Sequence, residues 1–196
     1  GAGRALIARV ALTILALLGA STARAGDVAA DASFRAGREA LSSARAEVGA
    51  TRPARNVILF VGDGMGIATV TAARIREGQL RGGTGEENLL EFERLPFTAL
   101  SKTYNTDFQV PDSAGTMTAM VSGVKTRAGV LGVAEGVARG DFTATASGSV
   151  PTLLEQAEDR GLWTGVVTTT TITHATPGAC YAHTPDRNWE GDASLP

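Results

Sequence analysis

Chemistry in this chain is most legible in the stretch Val110-Pro-Asp-Ser-Ala-Gly-Thr116 and the small residues that follow it to Gly123. Pro111 fixes its own φ and holds Val110 extended, so a strand or loop ends there. Asp112 and Ser113 are both good N-cap residues, and the helix is expected to begin at one of them. A helix N-terminus offers unpaired N–H groups and a positive dipole end, which favour a phosphate or another oxyanion. A serine hydroxyl held at that end is well placed to attack a bound phosphoryl group. Taken alone, Asp-Ser is also no more than an ordinary helix cap.

Two further groups of residues bear on that choice. Asp63 lies in Gly62-Asp-Gly-Met-Gly66, directly after an apolar run. His174 and Thr176 lie in His174-Ala-Thr-Pro177, and Arg187 follows shortly after. Carboxylate, hydroxyl and imidazole together are hard or borderline metal ligands. A metal is one route to an activated serine near neutral pH. The planar fork of an arginine suits two oxygens of a phosphate. No Gly-x-Ser-x-Gly elbow surrounds Ser113. The glycines around Asp63 do not follow a dinucleotide fingerprint.

Something must bring these groups together. Asn56-Val-Ile-Leu-Phe-Val61 reads as a buried parallel strand, followed by a glycine turn carrying Asp63 and a helix from Ile67 to Gln79. Phe97 to Tyr104 alternates well enough for a second strand, which Asn105-Thr-Asp107 joins to the Asp-Ser helix. Gly132 to Gly148 reads as a glycine-rich, weakly apolar connection. Val150 to Gly161 is expected to be helical, with Pro151 in its first turn and Gly161 as its stop. Leu162 to Thr168 is the third strand, and Thr169 to Thr173 its continuation or a loop. The order is βαβαβ, hence an α/β fold with a mostly parallel sheet flanked by helices. In such a sheet the C-terminal strand ends share one edge, so Asp63, Asp112, Ser113, His174 and Thr176 can converge.

The chain has 196 residues, a net charge of −2 and 24 glycines, with a sequence pI near 5.7. It has no basic footprint for nucleic-acid recognition, and its length suits one domain or two small ones. The single cysteine, Cys180, excludes an internal disulfide and reads as a small buried hydrophobe. Residues 1–25 read as a secretory signal: Arg4 and Arg9, an apolar run from Val10 to Ala20, then Ala23-Arg24-Ala25. An uncleaved anchor is the alternative. Export to a periplasm or the extracellular space is expected, with no membrane span once the signal is cleaved. Residues 26–54 form an arm, whose Phe34, Leu41 and Val48 recur every seven residues on an otherwise polar helix ended by Gly49 and Pro53. The start at Gly1 and the stop at Pro196 read as the ends of a fragment.

Gly62-Asp-Gly-Met-Gly66, Val110-Pro-Asp-Ser-Ala-Gly-Thr116, and His174-Ala-Thr-Pro177 through Tyr181-Ala-His-Thr-Pro-Asp-Arg187 resemble the alkaline phosphatases, in that family's order. The likeness makes residues 55–196 the N-terminal part of a catalytic domain, a three-layer sandwich. It implies hydrolysis of small-molecule phosphate monoesters through a phosphoserine on Ser113, with two zinc ions and one magnesium as cofactors. It implies that Ser113 also touches a zinc, that Asp63 bridges that zinc and the magnesium, and that Thr176 is a magnesium ligand. His174 stands near the magnesium, to tune or to bind it. Arg187 grips the phosphate and Asp112 orients it through an ion pair. The likeness also implies a homodimer for the full-length protein, which the arm could clasp. Further Asp, His and Glu ligands come in that family from a C-terminal half, so this chain alone is expected to be inactive.

Two other functions compete. A sulfatase needs a modifiable residue followed by Pro and Arg, and related phosphodiesterases use Thr where Ser113 stands. A non-catalytic phosphate-binding protein would keep Arg187 and the helix start but would need neither Asp63 nor Ser113. His183, Lys125, Arg127, Trp163 and Trp189 read as structural or solvated, with both tryptophans expected to pack.

Overall fold

The Asp-Ser stretch forms the central element. The computed structural model describes residues 28–48, 54–95 and 97–196. Six α-helices occur among them: α1 Ala32–Val48, α2 Ile67–Leu80, α3 Ser113–Ser122, α4 Phe142–Gly148, α5 Leu153–Glu158 and α6 Ala175–Gly178. The leader expected over residues 1–25 lies outside the described residues, as do the arm's stops at Gly49 and Pro53. No helix among the described residues is long and apolar enough to cross a membrane.

α3 places Ala114, Met117 and Val121 on one face, the i, i+3, i+7 spacing of a core-facing helix. That face packs against Leu131, Ala175, Ala179 and Cys180, with Leu154 and Val166 at its border. Ser and Thr inside α3 do not break it. Thr118 Oγ1 donates to Ala114 O and Ser122 Oγ to Thr118 O, so each buried hydroxyl is satisfied within the helix. Gly123 closes α3 at φ +78°, where a Cβ would also come within 2.7 Å of the Phe34 ring. Ser33 Oγ accepts from Lys125 N at 3.1 Å, so the start of the arm helix is seated on the end of α3.

The segment between Gly132 and Gly148 is not a weakly apolar connection. Val130, Val133 and Val137 are buried and pack with Ala144 of α4. Each buried valine is worth about 1.5–3 kcal/mol of transfer free energy, which makes this a second small core. Periodicity did not show it because the valines are held by turns and isolated antiparallel bridges, Leu131 with Thr184 and Val133 with Ser149. α5 is shorter than the expected 150–161. Thr152 caps it and pairs reciprocally with Glu155, which leaves Pro151 outside. Gly161 stops it at φ +73°, with Leu162 N–H reaching Ala157 O.

The expected parallel sheet has no ladder among the described residues. Residues 56–61 belong to no helix or ladder, with Val57 81% and Phe60 91% exposed. Residues 97–104 are likewise unpaired. A parallel strand needs cover on both faces, and the helices that pack together, α3 with α5 and α6, gather elsewhere. Residues 162–168 keep the period of a strand without its partners. Val166 packs on the core while Val167 and Trp163 point fully to solvent, so Trp163 is not the packing residue expected.

Candidate active site

Asp112 is the junction of the site. It caps α3 in an extended conformation, and Ser113 is the first helical residue. Asp112 Oδ1 accepts from Gly115 N at 3.0 Å and from Asn105 Nδ2 at 2.9 Å. Oδ2 accepts from Gly129 N at 2.9 Å and from Arg187 Nη1 at 3.2 Å. Burial would push this carboxyl up, but the bonds from Gly115, Asn105, Arg187 and Gly129 outweigh it and hold Asp112 below the usual range. Arg187 is fixed at both ends, because its backbone N–H donates to Gly129 O at 2.8 Å. Ser113 Oγ takes no part in these bonds and stands half-buried at the positive end of the α3 dipole.

The other sequence candidates join the same set. Arg187 Nη2 lies 3.3 Å from His174 Nε2. A guanidinium only donates, so this is a hydrogen bond when Nε2 is unprotonated and Nδ1 carries the ring proton. The 3.5 Å contact of Nδ1 with Thr176 N is then given up. Thr176 Oγ1 in turn donates to Asp63 Oδ2 at 2.7 Å. Asp63 sits in the turn ahead of α2, whose N-cap is Gly66, so it does not cap that helix. Two hydrogen-bonded sets result, Asp63 with Thr176 and His174 with Arg187 and Asp112, and the short α6 that His174 caps carries Thr176 beside the second set, while Ser113 joins it through the backbone next to Asp112.

Asp63 and Thr176 together offer carboxylate and hydroxyl oxygens, a donor set suited to a hard cation such as magnesium. Zinc is different. No group of three or more His, Cys, Asp or Glu side chains able to hold a metal forms among the described residues. Asp63 and Ser113 fall short of the three or four protein ligands that zinc takes.

Sequence reasoning passed over several residues that build this site. Asn105 read as part of a connection, yet it is 3% exposed and holds Asp112. Arg139 forms a two-point ion pair with Asp186, beside Arg187, through Nε at 3.0 Å and Nη2 at 2.9 Å. Lys125 is not simply solvated. Its Nζ donates to Lys102 O and Tyr104 O and lies 4.0 Å from the Tyr104 ring centroid, and burial pulls its pKa down. Arg127 is exposed but bonded to Glu135 O. His183 is engaged in the fold, between Gly132 O and Glu155 Oε1. Cys180 is buried, and burial pushes its thiol up, away from reactivity.

The chain as a whole resembles known proteins. A family model described as alkaline phosphatase matches residues 54–196. The chain is 54% identical over 143 residues to the tissue-nonspecific alkaline phosphatase of Gallus gallus, covering 73% of this chain and 28% of that protein. It is 53% identical over 146 residues to the Homo sapiens counterpart, covering 74% and 28%. Among solved structures, a cold-active alkaline phosphatase from Shewanella sp. superposes with a TM-score of 0.55 at 32% identity, over 66% of this chain and 30% of that one. The chain thus spans little more than a quarter of the length of these curated relatives.

Proposed function

This chain belongs to the alkaline phosphatase family and shares its fold, and from that premise we propose that the whole protein hydrolyses phosphate monoesters through Ser113. Ser113 Oγ forms a bond to phosphorus as the ester P–O bond breaks, and the alcohol leaves. Water then attacks the phosphoserine, releasing inorganic phosphate and restoring the hydroxyl. The Arg187 guanidinium holds two non-bridging oxygens of the phosphoryl group, whose charge must be neutralised in the transition state. Asp112 ties that grip to the nucleophile's own helix. The observation that carries the reading is the 3.2 Å bond from Arg187 Nη1 to Asp112 Oδ2, one residue from Ser113.

Magnesium fits Asp63 and Thr176, with His174 beside them. Zinc, when bound, supplies positive charge for the attacking and leaving oxygens. The described residues do not complete a zinc site, so the 196-residue chain by itself is inactive in this reading. The unpaired runs 56–61, 97–104 and 162–168 would pair into a parallel sheet in the whole protein. Residues 1–25 direct export, 26–54 form the arm, and 55–196 belong to the catalytic domain. The arm helix α1 is exposed along most of its length, which supports a role in clasping a second subunit. Gel filtration of the full-length protein with and without residues 27–50 tests that role.

The function is tested by p-nitrophenyl phosphate hydrolysis in zinc and magnesium, comparing the full-length protein with its Ser113→Ala variant. Loss of most activity in the variant is expected, and equal activity would remove Ser113 as nucleophile. A silent wild type that still binds phosphate would make the protein a phosphate binder.

A further inference from the structure

We propose that Asn105 is a positioning residue for Arg187: it sets the plane of the Asp112 carboxylate, and that plane sets where the guanidinium stands. This rests on the phosphatase reading above.

The Asp χ2 torsion is broad, so a carboxylate plane is fixed by its partners and not by its own rotamer. Asp112 has two donors on each oxygen. Three of the four have other reasons to be where they are: Gly115 N belongs to the first turn of α3, Gly129 N to a backbone turn, and Arg187 to the expected phosphate grip. Asn105 Nδ2 is the fourth, a neutral side chain with no phosphate to bind. Without it, Oδ1 keeps only the cap bond from Gly115 against the two donors on Oδ2, so the plane turns toward the Gly129 and Arg187 side and shifts where Arg187 stands.

Asn105 is itself held rigidly. Its N–H donates to Phe108 O at 3.0 Å, and the next two residues are clamped to the 126–129 loop. Thr106 N reaches Thr126 O at 3.0 Å, and Asp107 Oδ1 accepts from Ala128 N at 2.9 Å. The amide lies against α3, where a Cβ at Gly115 would come within 2.7 Å of Asn105 Oδ1. That Oδ1 has no donor among the described residues. The opposite amide orientation would set an oxygen against the Asp112 carboxylate, so the donor to Asp112 decides which way the group faces. A leucine has nearly the same shape and would leave no buried acceptor unpaired. Packing alone therefore does not account for an asparagine here.

The test uses the full-length enzyme with its metals. Asn105→Leu and Asn105→Asp are each made alone and in an Arg187→Ala background, with melting curves for all. With Arg187 present, kcat/KM for p-nitrophenyl phosphate should fall about ten-fold or more, as expected for losing a hydrogen bond to a charged group. The inhibition constant of inorganic phosphate should rise by a similar factor. With Arg187 removed, the same changes should be less than about two-fold, because the position of an absent side chain no longer matters. Equal losses in both backgrounds, wild-type kinetics in Asn105→Leu, or failure of both variants to fold would each overturn the proposal. A wild-type enzyme without phosphatase activity would instead overturn the reading beneath it, and the proposal with it.

Discussion

Thr176 Oγ1 donates to Asp63 Oδ2 at 2.7 Å across 113 positions of sequence. The two residues follow the first and third apolar runs of the chain, and their meeting is what converging strand ends would produce. Both side chains are polar and neither is fully buried, so little desolvation opposes the contact. A cation arriving there would replace one hydrogen bond with two ligand contacts.

In the full-length protein, Thr176→Val should therefore raise the magnesium concentration for half-maximal activity by about ten-fold or more. Removing magnesium with a chelator and titrating it back into wild type and variant checks this. An unchanged midpoint would mean that Thr176 serves only to hold Asp63.

Asp186 gives a prediction about pH. Burial would raise its pKa, but the Arg139 bonds, Asn188 N–H and the charges of Arg139 and Arg187 hold it below the ordinary value. The folded pKa thus lies below the unfolded value of about 3.9. Its contribution to stability is complete above that value and disappears as pH falls through the folded pKa. The melting temperature of Asp186→Asn should lie below wild type at pH 6, and the gap should close as pH falls below about 4. A gap independent of pH would show that the ion pair with Arg139 adds nothing.

Much of the site can be read from residue types and order alone. Asp112 and Ser113 begin a helix because proline, acid and serine leave few other options, and Asp63 sits in a glycine turn for the same kind of local reason. Arg187 and Asp112 meet across 75 positions, which only the family likeness made foreseeable. Asn105 was not legible, because a buried amide and an exposed one look identical in sequence. The valines from 130 to 137 were missed because turn-held core residues have no period. Trp163 is exposed against expectation because its segment shows only one face to the core, and Val166 lies on that face. The sheet is the largest gap. Runs such as 56–61 have strand composition, but a ladder depends on neighbours that local pattern does not specify.

Gly115 offers a test of how tightly the cap region is built. A Cβ there would meet Asn105 Oδ1 at 2.7 Å and Arg127 O at 2.9 Å, and the second is backbone that cannot swing aside. Gly115→Ala should cost about 1–3 kcal/mol of stability through overpacking. Gly136→Ala, which meets nothing within 4 Å, is the control. Denaturant melts of both variants decide the matter, and equal midpoints would mean that both Asn105 and the backbone at Arg127 yield easily.

The apolar run 56–61 carries the last prediction. Val57, Ile58, Leu59 and Phe60 are all exposed, on backbone with no ladder partner. Unpaired N–H and C=O groups beside bare apolar side chains form a template for pairing with another chain. The 196-residue chain alone should therefore bind a hydrophobic dye strongly and associate as its concentration rises. Replacing Ile58 and Phe60 by lysine should suppress both effects, because charge on an unpaired edge opposes strand addition. Dye fluorescence and light scattering over a concentration series measure this. Persistent association in the double variant would move the sticky surface to the other unpaired runs, to the exposed residues Phe97 and Leu100 or Trp163 and Val167.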